Sequence, residues 1–475
     1  MMKFPRWIKS TIKWVLFLLV ALVSLYVLGC AWYSWSTARE WVKLKGELEA
    51  RGEKFSLVEL LFPPIPDEAN FFASPLFKEG GTSLAGKSEA YKTFPLIKEM
   101  DTHAVITKVP DDIKPTDSKG FHNLEYEIVQ RGLRTKENKD QPAAEIILTA
   151  FDKRRDLWEL LYKAAEKPGS YFPFEYEKLG DLIAYENGVI ELTWLLSLRA
   201  SANMMLHKPK EAARDVLLIF RLSDAIAAQP LVVTQYVRIA CLRIAISNIR
   251  EGMERHVWTT DELKDIEGQL ADKNLIKSLA VSLRGERGFS NQGFSSIFEY
   301  KGPWGKVLKG FHLFPAESFL RMNMTSSSRL FQNVIDQLET GSRGINAMNI
   351  SFPKVPEKYP KAGERLHLLT SVAIPPFKSI ITAFAETQAE IDMTRIACVL
   401  ERYRIALGNY PQSLNQLVPK YIEKLPNDVA NAKPYRYRLD APDKFTLWSV
   451  GFDGVDDNAA HPNDIEKGDW VWGHF

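Results

Sequence analysis

Acidic side chains crowd the stretch SVGFDGVDDNAAHPNDIEKGDW, which runs from Ser449 to Trp470. The acids are Asp453, Asp456, Asp457, Asp464, Glu466 and Asp469, and a single lysine lies among them. Carboxylates packed this closely repel one another unless water or a cation neutralises them. The stretch is therefore compatible with three kinds of structure: a solvated acidic turn, a metal-binding loop, or a pair of catalytic carboxylates.

Each kind of chemistry sets its own geometric requirement. Calcium takes about six to eight hard oxygen ligands, often including backbone carbonyls of a curled loop. The spacing of Asp453, Asp456 and Asp457 does not fit an EF-hand, whose first ligands stand at positions 1, 3 and 5. A catalytic pair needs two carboxylates held about 5 to 9 Å apart. Nothing in the sequence positions a second acid opposite the first.

A second charged cluster lies in the segment LRGERGF, where Glu286 stands between Arg284 and Arg287. It could line a cleft, but arginine–carboxylate contacts of this kind more often join two helices. We favour the contact between helices, because no nucleophile or base motif accompanies the cluster. The sequence also lacks G-x-S-x-G, P-loop and G-x-G-x-x-G motifs.

The composition sets limits on function. The chain has 475 residues and a formal net charge of +2, which gives no reason to expect nucleic-acid binding. Its cysteines, Cys30, Cys241 and Cys398, lie too far apart in the sequence to suggest a disulfide framework or a zinc site.

A long apolar segment near the N-terminus predicts a membrane anchor. Residues 14–33 carry no charge, and about 20 apolar residues suffice to cross a bilayer core of roughly 30 Å. The preceding basic residues, Lys3, Arg6, Lys9 and Lys13, favour a cytoplasmic tail. We expect a bacterial inner-membrane protein with a single span and most of the chain in the periplasm.

Two alternatives remain for this segment. A cleaved signal peptide would have a shorter apolar core and a small-residue cleavage site. The residues Val27 to Cys30, VLGC, resemble a lipobox, in which Cys30 would be lipidated after cleavage. However, Tyr26 fits that pattern poorly and the apolar run continues beyond Cys30, so we favour the uncleaved anchor.

Hydrophobic periodicity and the distribution of prolines divide the chain into five segments. We predict a basic tail at 1–13, a transmembrane anchor at 14–35, a juxtamembrane helix and irregular extended region at 36–140, a helical domain at 141–375 and an α+β domain at 376–475. In the helical domain, Pro209, Pro230 and the Thr259–Glu262 N-cap separate runs with helical periodicity. The fold class is thus mainly α, as a helical-hairpin bundle or short irregular solenoid, followed by a long helix and a small antiparallel sheet.

The C-terminal hundred residues carry a recognisable order of motifs. A long helix should end near Leu407, with Gly408 as its cap and Pro411 preventing continuation. PYRYRLD and KFTLWSVG alternate with a period of two and predict a β-hairpin. The motifs GNYP at 408–411, PYRY at 434–437, SVGFDG at 449–454 and the later DI…W follow one another.

This order resembles the C-terminal globular domain of the major pseudopilin of type II secretion systems, over roughly residues 385 to 470. The resemblance implies a calcium loop, with Asp453 and Asp464 as ligands; Asp456 and Asp457 are further acids that could ligate the ion. The prepilin-peptidase site of that family is missing before Trp14. Some 350 residues also separate the apolar helix from this domain, which puts pilus assembly in doubt.

The whole chain resembles a group of envelope proteins of Planctomycetes and Verrucomicrobia, and this wider resemblance implies no activity. We predict a membrane-anchored extracytoplasmic scaffold or interaction protein that is not an enzyme, with a protein partner on its helical domain and a calcium-binding C-terminal module. One alternative is a periplasmic hydrolase using carboxylates such as Asp453 and Asp457, or Glu286. The other is a component of a type II secretion or pilus-like apparatus. The sequence leaves any small-molecule substrate open.

Overall fold

The structure, a computed structural model, describes residues 6–61, 63–78, 114–116, 121–172, 179–299, 316–340, 369–370, 374–460 and 467–473. It is mostly helical (66%), with a small three-stranded antiparallel sheet near the C-terminus, and the predicted fold class is confirmed. Of the predicted juxtamembrane and extended region at 36–140, the structure describes 36–61, 63–78, 114–116 and 121–140. Asp464 lies outside the described residues.

The chain forms two compact units. The first comprises Met1–Leu60, Leu283–Asp336 and Ser351–Phe377, and the second comprises Leu61–Ser282, Gln337–Ile350 and Lys378–Phe475. The second unit thus contains both the helices between residues 61 and 282 and the C-terminal sheet. The segment boundaries read from the sequence remain predictions.

The first unit begins with one uninterrupted helix, α1 (Arg6–Glu49). Its 44 residues correspond to a length of about 66 Å, roughly twice a bilayer core. No proline or glycine cap interrupts α1 between the apolar segment and the turn at Gly52, where φ is +84°. The helix therefore continues through the apolar segment into a polar stalk.

Other helices of the first unit pack against this stalk. They are α2 (Leu57–Leu60), the C-terminal part of α11 (Leu275–Glu299) and most of α12 (Ala316–Thr340). Tyr33 and Ser34 of α1 hydrogen bond to Met322 and Ser318 of α12. Where α11 crosses the loop before α2, a Cβ on Gly288 would stand 2.9 Å from the backbone nitrogen of Leu57, so the close approach needs glycine.

The charged segment LRGERGF supplies a buried ion-pair cluster to the first unit. Arg284 and Arg287 each donate to the Glu53 carboxylate at 2.7 Å, and the Arg287 side chain is fully buried. Burial by itself would raise the pKa of Glu53, but hydrogen bonds from the two arginines outweigh it and lower that pKa to about 2. The two arginines therefore join α11 to the end of the stalk through Glu53, a partner the sequence did not indicate, while Glu286 is half-buried beside them.

In the second unit, the helices from α7 onward follow one another through short turns. The helices up to residue 205 are α3 (Pro75–Lys78), α4 (Leu124–Gln130), α5 (Ala143–Asp152), α6 (Arg155–Ala165) and α7 (Leu179–Met205). They continue as α8 (Pro209–Ile226), α9 (Val232–Glu254), α10 (Thr260–Ala271) and the first turns of α11. Pro209 occupies the first turn of α8, and Thr259 with Glu262 forms the capping box of α10, as the sequence predicts.

The helical core of this unit contains a charged pair. Asp215 on α8 accepts hydrogen bonds from Arg199 on α7, and the Asp215 side chain is 1% exposed. The Arg199 guanidinium also lies over the Trp158 ring, 3.9 Å from its centroid, and donates to Tyr162 at 2.5 Å. The pair therefore sets the register of α6, α7 and α8.

The C-terminal module consists of α13 (Phe377–Leu407), a 3₁₀ turn (Leu414–Leu417) and a sheet in the order β1-β2-β3. The strands are β1 (Arg436–Ala441), β2 (Lys444–Ser449) and β3 (Trp470–Val471). Gly408 adopts a φ of +88° immediately after α13. The predicted hairpin is confirmed, with Arg436 paired to Trp448 and Leu439 to Phe445.

We expect Asp215→Asn to lower the free energy of unfolding by about 3–5 kcal/mol, because it leaves Arg199 buried without a counter-charge. The measurement is thermal unfolding of the full-length protein in detergent. Asp440→Asn is the matched control, since it breaks the largely exposed pair with Arg438 and should cost no more than about 1 kcal/mol. Equal shifts for the two variants would contradict a special role for the buried pair.

Candidate functional site

The acidic stretch after β2 forms a loop in which carboxylates bind backbone amides. Asp453 accepts from the amides of Val455 and Gly468, each at 3.1 Å. Both carboxylate oxygens of Asp453 are therefore engaged, although the side chain is exposed. This contact ties the start of the loop to the segment that precedes β3.

Asp456 and Asp457 have different surroundings. Asp456 accepts from the Arg436 guanidinium at 2.7 Å and from the Trp448 indole at 3.1 Å. Burial by itself would raise the pKa of Asp456, but these hydrogen bonds and that of Asn458 outweigh it and lower the pKa. Asp457 is exposed and caps the turn through its carbonyl oxygen, which accepts from Ala460 at 3.2 Å.

Two acids that were not predicted as site residues hold the loop from inside. Asp428 accepts from the Ser449 hydroxyl at 2.7 Å and from the Val450 amide at 3.0 Å, and burial raises its pKa. Asp469 is fully buried and accepts from the Ala459 amide at 2.7 Å; burial raises its pKa to about 6. No sequence signal marks Asp428, because it lies 21 residues before Ser449.

Gly451 explains why the loop needs glycine at the third position of SVGFDG. Its φ is +66°, and a Cβ there would stand 2.1 Å from the carbonyl oxygen of Gly468. The two loop segments can approach this closely only when no side chain lies between them. The glycine of the motif is therefore required where two backbone segments cross, and its aspartate belongs to the acidic loop.

The structure shows where three of the four predicted calcium ligands lie. Within the described ranges, which stop at 460 and resume at 467, no group of three His, Cys, Asp or Glu side chains converges as a metal site would require. Asp453 and Asp456 direct their carboxylates to backbone, arginine and indole donors, and Asp464 lies outside these ranges. The described acids do not by themselves provide the oxygen-rich cage that calcium prefers, so the calcium site remains a prediction.

A cleft of about 740 Å³ lies beside this module, within the second unit. We call it the aromatic cleft. Its walls are the C-terminal end of α9 and the following turn, Phe121, Tyr410, the β1–β2 hairpin and the residues at and after β3. Small-molecule sites typically enclose about 300–1,000 Å³. This cleft has the size of a ligand site.

Aromatic rings line one side of the cleft in fixed positions. The Phe445 and Trp472 rings are stacked with centroids 5.5 Å apart, and Tyr410 meets Phe445 edge-on at 4.8 Å. The Trp472 indole donates to the Thr394 hydroxyl on α13 at 3.2 Å. Trp472 and Phe445 remain half-exposed, so they offer a preformed aromatic surface.

Charged groups of both signs complete the lining. Arg250 lies over the Phe121 ring, 5.3 Å from its centroid, and Lys444 is exposed on the hairpin. Across the described residues, neither cation has a carboxylate within salt-bridge distance. The carboxylates of Glu254 and Asp443 also border the cleft.

Beneath the cleft, Glu401 holds Tyr410 and Arg404 in place. Tyr410 donates to Glu401 at 2.7 Å, and Arg404 donates to it at 2.6 Å. Burial by itself would raise the pKa of Glu401, but the hydrogen bonds from Arg404 and Tyr410 lower it overall. Burial, the Glu401 charge and the hydrogen bond to it all raise the pKa of Tyr410, so the phenol is neutral at physiological pH.

Other titratable groups are buried in the helical core, and one of them, Glu390, interacts electrostatically with Arg250 of the cleft lining. Burial raises the pKa values of Glu186, Glu390 and Asp392 to about 7 each. Asp392 accepts from the Tyr435 hydroxyl at 3.1 Å, which joins α13 to the start of β1. Glu186 and Asp392 therefore serve as internal hydrogen-bond acceptors, for Thr234 and Tyr435. Glu390 instead lies 3.4 Å from the Arg243 guanidinium.

One buried pair has the residue types of a nucleophile and a base. His122 Nε2 lies 2.9 Å from Ser197 Oγ, and the imidazole meets the Trp194 ring edge-on at 5.4 Å. Ser197 is 2% exposed, and burial lowers the pKa of His122. A nucleophile must reach its substrate. This pair is therefore a core hydrogen bond between α7 and the segment before α4.

Comparison of the chain with protein-family models, with curated proteins and with solved structures finds no match. The pseudopilin resemblance therefore rests on the sequence motifs alone.

We expect Gly451→Ala to destabilise the acidic loop much more than Gly408→Ala. Both glycines have positive φ, which costs alanine about 1–2 kcal/mol, but the space around Gly408 is open whereas a Cβ on Gly451 meets the Gly468 carbonyl. Hydrogen exchange of residues 449–460 and 467–473, with thermal unfolding, measures the difference. Similar exchange in both variants would mean that the backbone crossing contributes nothing beyond φ strain.

Proposed function

We propose that the protein is a membrane-anchored, extracytoplasmic interaction protein whose second unit binds its partner or ligand at the aromatic cleft. The observation that carries the proposal is the N-terminal apolar helix. In α1, none of the apolar window within Ser10–Glu49 is buried against the rest of the chain. A helix of this length with an exposed apolar surface is suited to a bilayer.

The second apolar helix supports a single span. Among the described residues, two helices, α1 and α9, are long and apolar enough to cross a membrane. The apolar window of α9 is 61% buried, and its residues pack in the core of the second unit. We therefore assign α9 to the folded body and α1 to the membrane.

Charge distribution along α1 supports an outer position for the folded body. The basic residues before the span, among them Arg6 and Lys13, have no acids between them. After the span, Lys43 pairs with Glu47 at 3.9 Å and Lys45 with Glu49 at 3.5 Å. Since acids balance the second group of lysines, the positive-inside rule favours a cytoplasmic N-terminus.

We expect the full-length protein to remain in the membrane pellet after alkaline carbonate extraction, and a variant lacking residues 14–33 to become extractable. The intact mass of the wild-type protein separates the two anchoring modes, because a lipobox would remove residues 1–29 and add acyl chains to Cys30. An uncleaved, unmodified mass supports the helical anchor. A mass that lacks residues 1–29 and carries acyl chains would show that the anchor is a lipid on Cys30, and protease accessibility in spheroplasts reports the orientation.

We further propose that calcium stabilises the C-terminal acidic loop through Asp453 and Asp464, with Asp456 and Asp457 available as further ligands. Millimolar calcium should then raise the melting temperature of the full-length protein relative to chelator, because an ion that binds only the folded state stabilises it. The Asp453→Ala/Asp464→Ala variant should lose this shift, and Asp440→Ala, an acid on β1 outside the loop, should keep it. An unchanged melting temperature in the wild type would exclude the calcium site.

A further inference from the structure

From the lining of the aromatic cleft, we propose that its ligand is a short neutral oligosaccharide. This inference rests on the proposed function in one respect, that the cleft is the recognition surface, and it names the chemical class recognised there. Three properties of the cleft lead to it: its fixed aromatic rings, its charges of both signs, and the Arg250 guanidinium, which has no hydrogen-bonded acceptor among the described residues and lies near the Phe121 ring and the Glu390 charge.

The aromatic rings match the apolar face of a sugar. A pyranose presents a face of C–H groups, which packs against the electron-rich face of an indole or phenyl ring. Trp472 is stacked on Phe445 and tethered by its indole N–H to Thr394, so its orientation is set before a ligand arrives. A preformed ring surface reduces the entropy lost on binding.

The charges argue for a ligand without net charge. An anion would be attracted by Arg250 and Lys444 but repelled by Glu254 and Asp443, and a cation would meet the reverse. Sugar hydroxyls both donate and accept hydrogen bonds. They can therefore use donors and acceptors of the cleft together, with no charge to desolvate.

Arg250 is the group best placed to orient the ligand. Its guanidinium lies on the Phe121 ring, and within the described ranges no side-chain or backbone acceptor is hydrogen bonded to it. A guanidinium carries five N–H donors in a planar fork, which can reach two neighbouring hydroxyls of one sugar ring. The half-buried position beside the aromatic rings strengthens such bonds relative to those at an open surface.

The test is binding of cellotetraose and chitotetraose to the full-length protein, followed by tryptophan fluorescence and calorimetry. The protein should be kept in an amine-oxide detergent, since the headgroup of a maltoside would compete for a sugar site. Oligogalacturonate and an oligo-glutamate peptide serve as charged probes. We expect at least one neutral tetrasaccharide to bind, and the charged probes to bind much more weakly.

Variants of the cleft cations locate the site. Arg250→Met should raise the Kd about tenfold or more, as expected for lost hydrogen bonds to a charged donor, and Lys444→Met should raise it by a smaller factor. The controls are Arg438→Met and Lys420→Met, which remove exposed cations that do not line the cleft. Lys444 and Lys420 are both exposed, so neither substitution should prevent folding.

Three results would overturn the inference: binding of neither neutral tetrasaccharide, equal affinity in the cleft variants and their controls, or a preference for either charged probe. Membrane retention is measured separately. A protein that stays in the carbonate pellet and binds no sugar keeps the anchored function and loses this inference. A protein that binds sugar and is extracted by carbonate keeps this inference and loses the anchored function.

Discussion

The ion pair between Arg199 and Asp215 is the contact on which the helical unit depends. Two opposite charges in a helical core stabilise only when they meet in good geometry, and each is costly when left alone. Arg199 comes from α7 and Asp215 from α8, and Tyr162 and Trp158 on α6 pack against the guanidinium. Hydrophobic packing would tolerate several registers of these helices, whereas the ion pair permits one.

Other buried carboxylates of the molecule also need partners, and the partners differ from one place to the next. Glu53 in the first unit is neutralised by Arg284 and Arg287. Asp428 in the C-terminal module instead accepts hydrogen bonds from a hydroxyl and backbone amides. A buried carboxylate needs donors, but these donors need not be charged. The described aspartates after β2 follow the same rule, because Asp453 and Asp469 accept hydrogen bonds from backbone amides of the loop. These amides lie outside regular helices and strands.

The aromatic cleft follows from how the small sheet is held against α13. Tyr435 reaches Asp392 and Trp472 reaches Thr394, so both ends of the sheet are tied to the same long helix. These contacts hold the Phe445 and Trp472 rings in place without help from a ligand. The half-exposed rings and the exposed side chain of Lys444 line the same cleft, an arrangement suited to recognition.

Local sequence patterns were sufficient to predict the membrane-spanning segment, several helix boundaries and the β-hairpin. The uncharged run of residues 14–33, the prolines at 209 and 230, and the alternation of PYRYRLD and KFTLWSVG each report the environment of neighbouring residues. Helix periodicity, N-caps and strand alternation depend on such short-range preferences. The fold class could therefore be predicted, and so could the end of α13 at Gly408.

By itself, the sequence determined the mainly helical fold class and the C-terminal hairpin, that one helix is suited to a bilayer, and that acids concentrate near the C-terminus. Only the tertiary structure decided which groups meet. It paired Arg287 with Glu53, brought Asp428 beneath the acidic loop and gathered Phe121, Arg250 and Trp472 around one cleft. These partners are separated by up to several hundred residues, and no local pattern encodes a contact that depends on the packing of the whole chain.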